Sequence, residues 1–132
     1  MTGKPRLLIV DDEPDMLDFL ERVFRAEFAV TRFGGADEAY AHLQTGARYD
    51  VLVTDQKMPR MTGVELLESI RESHPRLVKI LLSGFTDLPE IQRAIERCGI
   101  AAYVVKPIDS ERLRAAVSEA LARQASEPEE AV

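Results

Sequence analysis

The stretch Val51-Leu52-Val53-Thr54-Asp55-Gln56-Lys57-Met58-Pro59 decides how this chain folds. Three apolar β-formers and a threonine carry a carboxylate to the end of a predicted buried strand. A lysine, a proline and then Gly63 turn the chain away at once. An aspartate at the mouth of a buried strand is costly unless something pairs with it. The rest of the sequence has to supply that partner.

Working outward, the same unit recurs. Residues 6–10 are apolar after Arg6, as expected of a strand covered on both faces. Asp11-Asp12-Glu13 follow, and Pro14 suits a first helical turn. Met16, Leu17, Phe19, Leu20, Val23 and Phe24 then recur at helical spacing. Phe28 to Phe33 reads as a weaker edge strand, Gly34-Gly35 as a turn, and Ala36, Ala39, Tyr40 and Leu43 as a second helix. Beyond the central stretch, Val64, Leu67, Ile70 and Arg71 outline a third helix, stopped at His74-Pro75. Val78 to Leu82 is a fourth strand ending in Ser83-Gly84. Leu88, Ile91, Ala94, Ile95 and Cys98 form a fourth helical stripe with Gly99 as its C-cap. Ala101 to Val105 is a fifth strand ending in Lys106-Pro107, and a helix starts near Ser110 with Leu113, Ala116, Val117, Ala120 and Leu121 on its inner face. Residues 126–132, with Pro128 and three glutamates among them, read as a disordered acidic tail or the start of a linker.

Five repetitions of strand then helix imply one α/β domain over residues 1–125, a doubly wound five-stranded parallel sheet with helices on both faces. The 132 residues suffice for one core and not for two. A 45% hydrophobic and 30% charged composition is that of an ordinary globular chain. The net charge of −6, without a basic cluster, argues against direct binding of nucleic acid or an anionic membrane. No apolar run is long enough to span a bilayer, and the start of the chain leaves no room for a signal peptide. One cysteine, Cys98, excludes an internal disulfide, fits a reducing cytoplasm and reads as a buried structural thiol. His42 and His74 read as surface residues.

In a doubly wound sheet, ligands collect outside the carboxyl ends of the strands. The first strand ends in Asp11 and Asp12, the third in Asp55, the fourth in Ser83 and the fifth in Lys106. Taken singly, these are an acidic helix start, a loop cap, a turn and a strand end. Together, those four readings would have to hold on successive parallel strands at one rim. Three carboxylates in one place repel and call for a cation. Lys106 supplies one charge, and oxygen-only ligands suit Mg²⁺. A carboxylate can also attack phosphorus to form an aspartyl phosphate, with a metal, an ammonium and a hydroxyl neutralising the transferred group.

These residues resemble the receiver domain of bacterial two-component response regulators, over residues 5–123. The resemblance rests on Asp11-Asp12-Glu13, on Asp55 within Asp-Gln-Lys-Met-Pro with Gly63 following, on Leu82-Ser83-Gly84, and on Tyr103-Val104-Val105-Lys106-Pro107. It implies a flavodoxin-like sheet of order 2-1-3-4-5. It implies that Asp55 is the phosphoacceptor for a histidine kinase or phosphotransfer protein. Asp12 would be the direct Mg²⁺ ligand and Asp11 would act mainly through water, with Asp55 and the backbone carbonyl of Lys57 completing the set. Lys106 would contact first Asp55 and then the phosphoryl group, through a cis bond to Pro107. Ser83 would swing toward the phosphoryl group and Tyr103 would rotate inward behind it. Those moves would couple the site to a face of the fourth helix, fifth strand and fifth helix, which would act on an output domain, a partner or a second copy. The chain would then be a switch rather than a turnover enzyme. Lys57 and Phe85 imply slow loss of the phosphoryl group, and the wording around Asp55 and Ser83 resembles receivers joined to HD-GYP phosphodiesterase or histidine-kinase modules. Three other readings stay open: a metal-dependent aspartyl-phosphate hydrolase, a flavodoxin-like nucleotide binder and a phosphorylation-independent interaction module.

Overall fold

The computed structural model describes residues 3–84 and 88–126. Five parallel strands, β1 (Arg6–Val10), β2 (Ala29–Phe33), β3 (Val51–Asp55), β4 (Val78–Ser83) and β5 (Ala102–Val105), form one sheet in the order β2-β1-β3-β4-β5. The helices between them are α1 (Pro14–Phe24), α2 (Ala36–Gln44), α3 (Gly63–Ile70), α4 (Leu88–Arg93) and α5 (Ser110–Ser126).

Alternation along the strands builds two cores, one on each face of the sheet. Leu7 and Ile9 of β1, Val51 and Val53 of β3, and Val78, Ile80 and Leu82 of β4 pack with Leu17, Leu20 and Phe24 of α1 and with Leu113, Val117 and Ala120 of α5. Leu8, Val10, Leu52 and Leu81 point the other way, against α2, α3 and α4. Every residue of β3 and β4 is buried, which explains their unbroken apolar runs, whereas edge strand β2 has none buried.

Three sequence expectations change. The stripe assigned to α4 is wider than the face it buries: Ile91, Ala94 and Cys98 are buried, but Leu88 is 66% and Ile95 50% exposed. Past Arg93 the helix continues as a π-helical turn, Ala94–Cys98, whose i→i+5 bonding shifts the register before Gly99 ends it at φ 65°. The α5 helix runs through Ser126, whose hydroxyl donates to the Arg123 carbonyl at 3.1 Å; the tail beyond it lies outside the described residues. His42 and His74 are half-buried rather than superficial, because each ring meets the loop before β3, and that of His42 also lies 5.0 Å from the Phe33 ring. His42 Nε2 meets the Tyr49 hydroxyl at 2.7 Å, and His74 Nε2 lies 3.2 Å from the Ala47 carbonyl oxygen. Cys98 is fully buried, as expected.

Candidate functional site

Strand register brings the predicted residues together. Val10 of β1 lies beside Thr54 of β3, so Asp11 and Asp55, the next residues, come level. Asp55 lies beside Leu82 of β4, and Ser83 beside Val105 of β5, so Ser83 and Lys106 sit one step further along the same rim. Two backbone bonds extend the ladders to the site: Asp11 N–H donates to the Phe33 carbonyl at 3.2 Å, and Lys106 N–H to the Ser83 carbonyl at 2.8 Å.

Asp11 is fully buried, Asp55 is 4% exposed and Asp12 is exposed, and carboxylate oxygens of all three lie within 4.8 Å of one another. Lys106 Nζ contacts Asp55 Oδ1 at 2.7 Å. Two unit charges at such separations repel by about 3 kcal/mol at an effective dielectric near 20, so one ammonium does not neutralise the cluster. The titration of the groups reflects this. Burial pushes the Asp11 carboxyl up to about 6; the Glu13 N–H that donates to its Oδ1 at 2.9 Å pulls the other way, and Asp55 and Asp12 add repulsion. Burial likewise raises Asp55 despite the Lys106 hydrogen bond. For Lys106, burial alone would lower the pKa, but the hydrogen bond to Asp55 and its charge reverse this, and the net shift is upward. The ammonium is therefore firmly charged, while the carboxylates are short of positive charge.

Two buried polar atoms have no hydrogen-bond partner among the described residues: Asp11 Oδ2 and Ser83 Oγ. Buried polar groups are otherwise nearly always paired. The carboxylate cluster fits a hard divalent cation, since all its side-chain donors are oxygens and three formal negative charges face one ammonium. The Ser83 hydroxyl has a donor proton to offer at the same rim.

Tyr103 stands on β5 and is 46% exposed, beside buried Val104. Lys57 is exposed, and the Lys106–Pro107 peptide is cis. Phe85 lies outside the described residues.

Sequence reasoning missed what supports the loop after Asp55. Gln56 is only 3% exposed; its Oε1 accepts from Val64 N–H at 2.8 Å and its backbone carbonyl from Gly63 N–H at 3.0 Å. Gly63 packs so closely on β3 that a Cβ there would stand 2.2 Å from the Asp55 carbonyl oxygen. Thr62 caps α3 through a reciprocal box with Glu65, a signal present in Thr62-Gly63-Val64-Glu65. Arg60 adopts φ 71° and pairs with Asp37 of α2 at 2.8 Å. Nothing in the local sequence marks Gln56, because its partner lies eight residues on.

Comparison with known proteins agrees with this arrangement. The hydrogenase transcriptional regulatory protein HoxA of Cupriavidus necator is 39% identical over 118 residues, covering 89% of this chain and 24% of the relative. The chain spans about a quarter of the length of that and the next curated relatives it matches. A CheY-like response regulator receiver domain protein from Methanospirillum hungatei superposes with a TM-score of 0.88 at 29% identity, over 96% of this chain and all of the other. The signal receiver domain of an HD domain-containing protein from Pseudomonas fluorescens superposes with a TM-score of 0.86 at 30% identity, over 95% of this chain and all of the other. The sequence profile of the response regulator receiver domain matches residues 7–118, and to that family the chain belongs.

Proposed function

We propose that this chain is a phosphorylation-driven switch in which Asp55 accepts a phosphoryl group from a histidine kinase or phosphotransfer protein, with Mg²⁺ bound. The observation that carries the reading is the Asp55–Lys106 contact of 2.7 Å inside a carboxylate cluster short of positive charge. An Asp55 oxygen forms the bond to phosphorus, and the phosphorus–nitrogen bond of the donor breaks with its electron pair on the imidazole nitrogen. Asp12, Asp55, the Lys57 backbone carbonyl and, less directly, Asp11 would hold the cation, which would supply positive charge to offset that of the transferred group. Lys106 moves from the carboxylate to a phosphoryl oxygen as a point charge. Ser83 Oγ donates to another.

The product carries close to two added negative charges. A conformer in which Ser83 and Lys106 bond that group gains over one in which they do not. Moving a two-state population from mostly off to mostly on takes about 3–5 kcal/mol, the order of a few charge-assisted hydrogen bonds. Tyr103 turning inward from its exposed position carries the change to α4, β5 and α5. The exposed Leu88, Ile95 and Tyr103 support that face as the docking surface for an output module, a partner protein or a second copy. Residues 1–125 belong to the receiver unit, whose last helix extends to Ser126. The switch works in the cytoplasm without touching nucleic acid or membrane itself; the net charge of −6 supports this, and no helix among the described residues is long and apolar enough to cross a membrane. Its chemistry is confined to its own phosphorylation and dephosphorylation, and the exposed Lys57 and the bulky Phe85 keep the latter slow.

Incubation with a small phosphodonor and Mg²⁺, followed by intact-mass measurement, tests the reading. The wild type gains one phosphoryl group and Asp55→Ala gains none. No gain on the wild type, or equal gain on the variant, overturns it.

A further inference from the structure

We infer that Gln56 is a positioning residue for cation binding at the phosphorylation site, acting through the loop between β3 and α3. The inference rests on the proposed role of the Lys57 carbonyl as a Mg²⁺ ligand and concerns what holds that carbonyl still.

A ligand supplied by backbone has no rotamer to lock it; its position is set by the peptides on either side. On the side toward β3, the neighbouring residue is Gln56, and it is tied down three times. Its carbonyl accepts from Gly63 N–H at 3.0 Å, its Oε1 accepts from Val64 N–H at 2.8 Å, and the Cβ-less Gly63 lets α3 press on the Asp55–Gln56 backbone. The Val64 amide is a donor, so the atom facing it is the amide oxygen and the orientation of the Gln56 side chain follows. Val64 is the second residue of α3, where the N–H has no intrahelical partner, and it is buried away from water. Gln56 thus closes a ring from β3 through its own side chain to α3 and back along the loop, and Lys57 is the first residue inside that ring. The far end of the loop is fixed separately, by the Thr62–Glu65 box and the Arg60–Asp37 pair. Thr62 caps α3 separately, at the neighbouring amide of Glu65 at 3.1 Å, so the start of the helix can be weakened there without touching the Gln56 contacts.

The arrangement is that of an outer-shell residue orienting a metal ligand, a class of contact whose removal costs about 10- to 100-fold in affinity. The test is calorimetric titration of the unphosphorylated protein with Mg²⁺, alongside its melting temperature. Gln56→Met keeps length and burial but removes the acceptor, and the Mg²⁺ dissociation constant is expected to rise about tenfold or more. Thr62→Ala weakens the same helix from its other cap and is expected to lower the melting temperature while leaving that constant within about twofold. If Gln56→Met does not fold, Gln56→Asn, one methylene too short to reach Val64, takes its place. An unchanged constant in the Gln56 variant overturns the inference, as does an equal weakening in Thr62→Ala, which would reduce Gln56 to a helix support. Absence of Mg²⁺ binding by the wild type would instead remove the reading of the site on which the inference rests.

Discussion

The two ends of one sheet treat buried polar groups in opposite ways. At the amino-terminal end, His42 is bonded to Tyr49, His74 to the Ala47 carbonyl, and the Arg6 guanidinium lies over the Tyr49 ring, 4.6 Å from its centre. Even the buried Lys79 finds the Leu77 carbonyl at 3.3 Å, although burial lowers its pKa. A shallow recess of about 370 Å³ lies there, lined by Arg48, Tyr49, His74 and Arg76 among others, yet the polar groups around it serve closure. At the carboxyl-terminal end, three carboxylates crowd within 4.8 Å, two of them with raised pKa values, and two buried atoms have no partner among the described residues. Both ends bury polarity, but among the described residues only the carboxyl-terminal end leaves buried side-chain atoms without a partner. Unsatisfied polarity costs stability and persists where another requirement holds it in place. A binding site is therefore marked less by its recess than by polar groups the fold itself does not complete.

The largest stability effect that tests this contrast is expected at Gly63, where α3 packs on the carboxyl-terminal end of β3. In Gly63→Ala the new Cβ would meet the Asp55 carbonyl oxygen at 2.2 Å, and that atom belongs to backbone rather than to a side chain that can swing aside. Overpacking of this kind costs about 3 kcal/mol, roughly 10 °C in melting temperature for a domain of this size. Mg²⁺ affinity should fall with it, since α3 and the Asp55–Gln56 backbone would have to separate. A melting temperature within a degree or two of the wild type would show that the loop yields easily and that the rim is less rigid than its contacts indicate.

Next in size is the acid dependence of the carboxylate cluster. The folded-state pKa of Asp11 is about 6, above its ordinary 3.8. Between those values the folded protein holds the Asp11 proton while the unfolded chain has released it, so this group makes stability fall as pH rises from about 4 to about 6 and level off above. Asp55 shifts in the same direction. Asp11→Asn removes the slope due to Asp11, and without metal it is expected to melt above the wild type at pH 7 and by a smaller margin at pH 4.5. On the proposed reading Mg²⁺ takes the ionised form, so it should stabilise the wild type more at pH 7 than at pH 4.5 and the variant little at either. Equal margins at both pH values would mean that Asp11 is not held protonated by its surroundings, and the two ends of the sheet would then differ less than described.

Most of the fold and the members of the rim were legible because they rest on local pattern and topology. Apolar runs in β3 and β4, and one chemistry-bearing residue after each of four strands, place Asp11, Asp55, Ser83 and Lys106 together before any contact is known. What escaped depends on distances that sequence spacing does not encode. The α4 stripe read too wide at both ends: Ile95 falls in a π-helical turn that shifts the register, and Leu88, ahead of that turn, stands exposed at the helix start. The two histidines read as superficial because Tyr49 and Ala47, their partners, come from the loop before β3. Gln56 drew no reading of its own because its side chain is committed across the loop to Val64. The charge balance of the rim was legible in kind, but its outcome, an Asp11 carboxyl raised to about 6, required its burial and the position of the Glu13 amide.

The smallest expected effect belongs to the other end. Tyr49→Phe deletes only the hydroxyl that meets His42 Nε2 at 2.7 Å and leaves the ring in place beneath Arg6 and beside the His42 ring. A half-buried hydrogen bond of this kind contributes about 1 kcal/mol, so the melting temperature should fall by roughly 4 °C. Mg²⁺ affinity and the extent of phosphorylation should not move, because the bond joins α2 to the loop before β3 at the far end of the strand from Asp55. The Gly63 and Tyr49 variants together separate cost from consequence: one should lose stability and cation binding in step, the other stability alone. If Tyr49→Phe altered Mg²⁺ binding as well, the amino-terminal closure would be communicating along β3 to the rim, and the sheet would be a single coupled element rather than a scaffold with one reactive end.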